Sequence, residues 1–267
     1  MSQHLLPELI QIARQAGEAI LAVYESDFAV CHKEDDTPLT LADLKAHQLL
    51  MHELGKLTPD LPLLSEEGSP PPLTERCQWQ RYWLIDPLDG TREFIRRSGE
   101  FSVNIALIEN HRPILGLIYA PVSNTCYHAA KGHGSFRIDA SGSATRLRAR
   151  RHSAQQLVVT TSLRAGQDIR TRDLLQRLPE HTLVTMGSAL KSCLIAEGKA
   201  DIYPRVGPTS EWDTAAAQII IEEAGGLITD MNLQPLRYNT RETLLNPNFI
   251  AFADRSVDWR HYLNETA

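Results

Sequence analysis

The sequence has no cysteine pair at metal or redox spacing: Cys31, Cys77, Cys126 and Cys193 are scattered along the chain. That argues against a zinc ribbon, a C-x-x-C redox centre and a disulfide framework, and makes a reducing cytosol the expected compartment. An excess of positive charge is also missing. The formal charge is −6, whereas a protein that grips a nucleic-acid backbone is usually basic. The one basic cluster (Arg146, Arg148, Arg150, Arg151) alternates as a strand face does and is expected to be a solvated edge. No apolar run approaches ~18 residues, and the N-terminal stretch is amphipathic rather than a signal core, so no membrane span is expected. There is no internal repeat, low-complexity tract or flexible linker. Gly132-His133-Gly134 is a turn rather than a dinucleotide fingerprint, because no helix follows it. At 267 residues the chain is one large domain or two closely packed ones.

What is present is a series of apolar elements that end in acids. Leu5, Leu9, Ile12, Ala16, Ile20 and Val23 recur at helical spacing, and a polar loop from Lys33 to Pro38 follows. Thr40 then caps a second helix, with Leu41, Leu44, Met51 and Leu54 as its expected buried face. Asp43 lies in its first turn, where a carboxylate favours the helix dipole. Leu63-Leu64 is a short apolar run that stops at Ser65-Glu66-Glu67-Gly68, either an exposed turn or a ligand pair. Trp83-Leu84-Ile85 reads as a buried strand that stops at Asp86-Pro87, where proline removes a ladder donor. Asp89-Gly90-Thr91 and a short helix through Ile95 come next. Taken alone, this stretch is a metal-plus-phosphate site or an Asp-Pro turn with Asp89 as N-cap.

A β-rich stretch follows: Phe101 to Ile108 and Ile114 to Tyr119 as a hairpin, then a meander through Arg148. From about Arg151 strands and helices alternate, which suggests a second, α/β layer. Glu211-Trp212-Asp213 opens a helix that Gly225-Gly226 closes. The division expected is an N-terminal α+β half, 1–150, carrying most of the acids, and a C-terminal α/β half, 151–267, carrying Asp213.

Glu66, Asp86, Asp89 and Asp213 all lie where an apolar element ends or a helix begins, which is where α/β proteins collect their ligands. Four such acids beside a Gly-Thr turn point to a multi-metal phosphate site. A phosphate monoester is anionic and resists attack, so metals must neutralise it and lower the pKa of a water; all-oxygen ligands favour Mg²⁺. Haloacid-dehalogenase-type phosphatases use an aspartyl nucleophile in D-x-D-G-T. The two acids here are three residues apart and mid-chain, which favours activated water over an aspartyl-phosphate.

Leu64-Ser65-Glu66-Glu67, Trp83 to Thr91 and Glu211-Trp212-Asp213-Thr214-Ala215-Ala216 together resemble the lithium-sensitive, magnesium-dependent inositol monophosphatase superfamily. Glu100 to Ile108 and Arg241 to Pro247 are similar to its bacterial 3′(2′),5′-bisphosphate nucleotidase branch. The resemblance implies a layered α/β/α/β/α sandwich. It implies hydrolysis of adenosine 3′,5′-bisphosphate to AMP and phosphate in sulfur assimilation and nucleotide turnover, with the sulfated form as a second candidate substrate. It makes Glu66, Asp86, Asp89, Asp213 and the Leu88 carbonyl the ligands of two or three Mg²⁺ ions, with inhibition by Li⁺. Asp43 and Thr91 would orient the attacking water with Glu66 in the catalytic set, and Gly90 and Thr91 amides would hold the scissile phosphate. Ser188, Lys191 and Arg205 match positions that contact the nucleotide phosphate in eukaryotic relatives; without the resemblance they read as a helix start, a solvated lysine and a strand-end arginine. One departure stands out: relatives carry a serine-histidine motif near Thr161-Ser162-Leu163-Arg164, and here Arg164 stands near the histidine's place, leaving base and sugar selectivity open.

Two other functions stay open at this point. One is a phosphatase for inositol or another sugar monophosphate, and the other a non-catalytic nucleotide sensor. The expected partner is a small nucleotide bisphosphate rather than a nucleic acid, in a monomer or homodimer. The expected location is the cytoplasm, with the cytoplasmic side of the inner membrane as the alternative, although no basic amphipathic helix supports it.

Overall fold

A computed structural model describes residues 2–27, 30–32, 38–151, 156–163 and 168–263. Most of the loop expected after Lys33, and Arg164, lie outside the described residues. Helix α1 (Leu6–Tyr24) buries Leu9, Ile12, Ala16, Ile20 and Val23 along one side, as their spacing requires. A two-stranded antiparallel ribbon, β1 (Val30–His32) and β2 (Pro38–Thr40), leads into α2 (Leu41–Leu57).

The buried face of α2 differs from the one expected. Ala42, Asp43, Ala46, Leu50 and Leu54 point inward, while Leu41 and Leu44 are exposed. The capping box between Thr40 and Asp43 fixes the helix start and turns Asp43 inside. At about 100° per residue, Leu44 and Leu41 are then carried round to the solvent side.

Strand β3 (Leu63–Ser65), the four-residue helix α3 (Leu73–Arg76), β4 (Arg81–Asp89), α4 (Thr91–Ile95), β5 (Ser102–Glu109), β6 (Arg112–Ala120), β7 (Thr125–Ala130), β8 (Gly134–Ile138) and β9 (Ala144–Arg146) follow. The strands form a seven-stranded sheet in sequence order; β3 and β4 are parallel and every later pair is antiparallel. Trp83, Ile85, Ile105 and Leu107 pack with α1 and α2, while Tyr82, Leu84, Ala106 and Ile108 pack on the opposite face. Both faces are covered, which is why β4 and β5 read as continuous apolar runs.

β4 does not stop at Pro87 as its sequence suggested. It runs on to Asp89, with its pairing to β5 jumping from Asp86↔Asn104 to Asp89↔Ser102. The extra residue in β4 makes a bulge, and proline, lacking an N–H, is tolerated there.

The second half contains β10 (Leu157–Thr161), α5 (Ile169–Arg177), β11 (His181–Thr185), α6 (Leu190–Ala196), β12 (Ile202–Arg205), α7 (Glu211–Ala224), β13 (Leu227–Asp230), β14 (Phe249–Phe252) and α8 (Arg260–Leu263). Its five strands form a mixed sheet in the order β11-β10-β12-β14-β13. Residues of α6 and α7 pack against both sheets, and Leu174 and Leu175 of α5, Leu263 of α8 and Trp259 just before α8 cover the far face of the second. The layers are therefore α/β/α/β/α. Gly225, at φ +106°, closes α7 in a conformation that costs a residue with Cβ.

The basic edge is only partly solvated. Arg146 and Arg148 are exposed, but Arg150 pairs with the buried carboxylate of Asp201, which also accepts the Val158 N–H at 2.6 Å. Among the described residues no helix is long and apolar enough to cross a membrane.

Candidate metal and phosphate site

The ends of β3 and β4 and the start of α7 converge. Glu66 leaves β3 with its N–H bonded to the Ile85 carbonyl at 3.1 Å, Asp86 lies on β4, and Asp213 sits in the first turn of α7. One carboxylate oxygen from each of Glu66, Asp86 and Asp213 lies within 4.8 Å of the others.

Asp89 joins this group because of the bulge. Residues three apart on a regular strand face opposite sides of the sheet. The extra residue at Pro87 cancels that alternation, and Asp86 and Asp89 come to share one end of the strand. Asp89 Oδ2 accepts the Asn104 amide at 3.2 Å and the Ala189 N–H at 2.5 Å. The Leu88 N–H donates to Asp86 Oδ1 at 3.1 Å, and its carbonyl accepts the Thr91 hydroxyl at 3.4 Å.

Asp43 meets the site with one oxygen and its own helix with the other. Oδ2 accepts both the N–H and the hydroxyl of Thr40, at 2.7 and 2.6 Å, and Oδ1 accepts the Thr91 hydroxyl at 3.2 Å. The helix-capping position and the contact with Thr91 are thus compatible. Gly90 precedes Thr91 at φ +91°, and a Cβ there would come within 3.2 Å of both the Glu100 carbonyl and the Ser188 Cβ.

Burial pushes the carboxyl of Asp86 well above the usual carboxylate range, and the charges of Glu66, Asp89 and Asp213 add to it. Asp213 is raised well above that range in the same way, by burial and then by Asp89 and Glu66. Burial also raises Asp89, with Lys191 pulling it back, and raises Asp43 against its hydrogen bonds to Thr40 and Thr91. Lys191 is lowered by burial and partly restored by Asp89. Acids crowded in this way stay ionised only if a cation joins them. Carboxylate oxygens with a nearby backbone carbonyl are the donor set of a hard divalent ion, so the residues present fit Mg²⁺.

The predicted nucleotide contacts lie beside the acids. Ser188, at φ +46°, accepts a hydrogen bond from the Ser102 hydroxyl at 3.3 Å. Lys191 is buried rather than solvated: its Nζ donates to the Ser188 carbonyl at 2.6 Å and lies 5.5 Å above the Tyr203 ring. Arg205 Nη2 donates to the Pro208 carbonyl at 3.1 Å, while its Nε is buried with no hydrogen-bond partner among the described residues. Sequence reasoning gave no separate role to Asn104 or Ser102, which hold Asp89 and Ser188. Their signal is two polar residues at the start of a strand that is apolar from Ile105 to Ile108.

This layered α/β chain, with its acids gathered at two strand ends and a helix start, is matched by the model of the inositol monophosphatase family over residues 1–260, and the chain belongs to that family. The 3′(2′),5′-bisphosphate nucleotidase CysQ of Escherichia coli K12 is 46% identical over 92% of this chain and 98% of its own length. CysQ of Aggregatibacter actinomycetemcomitans is 43% identical over 97% of this chain and 96% of its own. The crystal structure of CysQ from Bacteroides thetaiotaomicron superposes with a TM-score of 0.77 at 38% identity, covering 91% of this chain and 95% of that one.

Proposed function

We propose that this chain is a magnesium-dependent phosphatase that removes the 3′-phosphate of adenosine 3′,5′-bisphosphate, giving AMP and phosphate, with the sulfated nucleotide as a second substrate. The observation that carries it is the convergence of Glu66, Asp86 and Asp213 beside Asp89. The naming of 46%-identical relatives as 3′(2′),5′-bisphosphate nucleotidases supports the choice of substrate. Glu66, Asp86, Asp89, Asp213 and the Leu88 carbonyl would hold two or three Mg²⁺ ions, which supply charge neutralisation at the phosphate when bound. Li⁺ is expected to inhibit by competing for that position.

The chain's own residues do the rest. Thr91 donates its hydroxyl hydrogen to Asp43, which leaves its lone pairs to accept a hydrogen from water and aim that water at phosphorus. As the new P–O bond forms, the proton passes through the Thr91 hydroxyl to Asp43. The P–O3′ bond breaks and the ribose oxygen takes up a proton from solvent. The raised pKa of Asp43 suits a base, because it moves the group toward the operating pH. The N–H groups of Gly90 and Thr91, at the start of α4, would hold the phosphate oxygens, as helix N-termini do. Ser188, Lys191 and Arg205 would take the second phosphate, and a buried lysine with a half-buried arginine beside it suits a doubly phosphorylated ligand. A location in the cytoplasm is part of the same reading.

The test compares kcat/KM on adenosine 3′,5′-bisphosphate and on inositol 1-phosphate in Mg²⁺. A clear preference for the nucleotide is expected; a preference for the inositol ester would overturn the substrate assignment, and phosphate release no faster than without enzyme would overturn the assignment as an enzyme.

A further inference from the structure

The stretch from Arg241 to Pro247 contributes none of the site residues described, yet it is wrapped around the start of α7. The Glu211 N–H donates to the Leu244 carbonyl at 2.8 Å, and Ser210 and Leu245 form an isolated antiparallel bridge. The side-chain amide of Asn246 donates to the Ser210 carbonyl at 2.5 Å, with the Thr214 and Thr209 hydroxyls at 3.0 and 3.3 Å. Its backbone N–H donates to the Thr209 carbonyl at 2.8 Å.

These bonds bear on Asp213 through the two peptide groups that flank Ser210. The Thr209–Ser210 peptide, whose carbonyl is held by the Asn246 backbone, donates its N–H to Asp213 Oδ2 at 2.9 Å, and the Ser210 carbonyl, held by the Asn246 side-chain amide, also accepts the Asp213 N–H at 3.1 Å. The backbone that points Asp213 at Glu66 and Asp86 is therefore fixed from outside the helix.

The wrap is itself anchored. Arg76, almost fully buried, donates to the Asn239 side chain and to the Arg241 and Glu242 carbonyls, and the Asn239 N–H donates to Glu211 Oε2 at 2.7 Å. A guanidinium taken out of water in this way is held by several acceptors at once, so its position is well defined.

We propose that Asn246 is a positioning residue for the metal site: it fixes the Thr209–Ser210–Glu211 backbone and, through it, the carboxylate of Asp213. This rests on the reading of Asp213 as a metal ligand. Groups that orient a ligand in this way are worth about 10–100-fold in metal affinity.

The experiment is calorimetric titration of the metal-free full chain with Mg²⁺ alone. Asn246→Ala is expected to weaken binding about tenfold while its unfolding midpoint in chelator stays near that of the wild type. In an Asp213→Asn background the same change is expected to have no further effect, because its route to the metal is gone. Binding within twofold of wild type in Asn246→Ala, or an undiminished effect in the Asp213→Asn background, would overturn the proposal. If Asn246→Ala does not fold, Asn246→Asp decides. It keeps the size and loses the amide hydrogens, and its added negative charge would by itself tighten cation binding, so weaker binding supports positioning and tighter binding refutes it. A wild-type chain that binds no Mg²⁺ would instead overturn the proposed function, and this inference with it.

Discussion

The Thr91 hydroxyl donates to Asp43 Oδ1 at 3.2 Å across 48 residues of sequence, joining the first turn of α2 to the start of α4. The other oxygen of Asp43 is committed to Thr40, so the pair can be broken without removing the helix cap. Asp43→Asn keeps an oxygen for Thr40 and loses the basic group. Its kcat is expected to fall by about 10²–10⁴, with the Mg²⁺ dependence little changed, since Asp43 is not among the clustered acids. Steady-state assays across Mg²⁺ concentrations check this; a loss confined to Mg²⁺ affinity would contradict the role of base.

The metal-free protein is expected to lose stability as pH rises. Asp86 and Asp213 have folded-state pKa values raised well above the ordinary one, chiefly by burial. Their folded forms bind protons more tightly than the unfolded chain, so their favourable contribution is complete below the ordinary carboxylate pKa. It is lost as pH rises through the raised values. In chelator the unfolding midpoint should fall as pH rises above the ordinary carboxylate range, and Mg²⁺ should raise it more at the higher pH. A midpoint that rises with pH in chelator would contradict the sign.

Much of this site could be read from sequence because Glu66, Asp86 and Asp213 stand at the boundaries of apolar elements, and boundaries are where periodicity breaks. The bulge at Pro87 could not, since it exists only in the pairing with β5. For the same reason the strand was expected to stop where it in fact continues. Lys191 bonds locally to the Ser188 carbonyl, but it is covered by Tyr203 and lies beside Asp89, and neither is near enough in the chain for local pattern to report its burial. The inward face of α2 keeps Leu54 but departs from the leucine pattern at Leu41 and Leu44, because the buried carboxylate of Asp43 sets which side of the first turn faces in.

Lys191 is expected to discriminate between one phosphate and two. Its ammonium is buried beside Asp89 and bonded to the Ser188 carbonyl. A charge-assisted bond to a phosphate contributes about 1.5–3 kcal/mol, which is about 10–100-fold in affinity. Lys191→Met should raise KM for adenosine 3′,5′-bisphosphate by that factor and change KM for a nucleoside 3′-monophosphate much less. Equal losses on the two substrates would place Lys191 in the support of Asp89 rather than at the second phosphate.

Gly90 and Gly132 share a left-handed backbone, at φ +91° and +78°, and differ in what surrounds them. A Cβ on Gly132 meets nothing within 4 Å, whereas one on Gly90 meets the Glu100 carbonyl and Ser188 Cβ, each at 3.2 Å. Gly132→Ala therefore reports the conformational cost alone, about 1–2 kcal/mol. Gly90→Ala adds crowding against two segments that also hold the site: Ser188 precedes the Ala189 N–H on Asp89, and Glu100 holds the Gly187 N–H at 2.8 Å. Relief requires Ser188 or the Glu100 backbone to move, and either movement shifts Asp89 and the turn into α4. Gly90→Ala should thus be the less stable of the two in denaturant titration and should lose activity as well, with Gly132→Ala retaining full kcat/KM. Matching activity in the two alanine variants would mean that the close approach at Gly90 is incidental to the site.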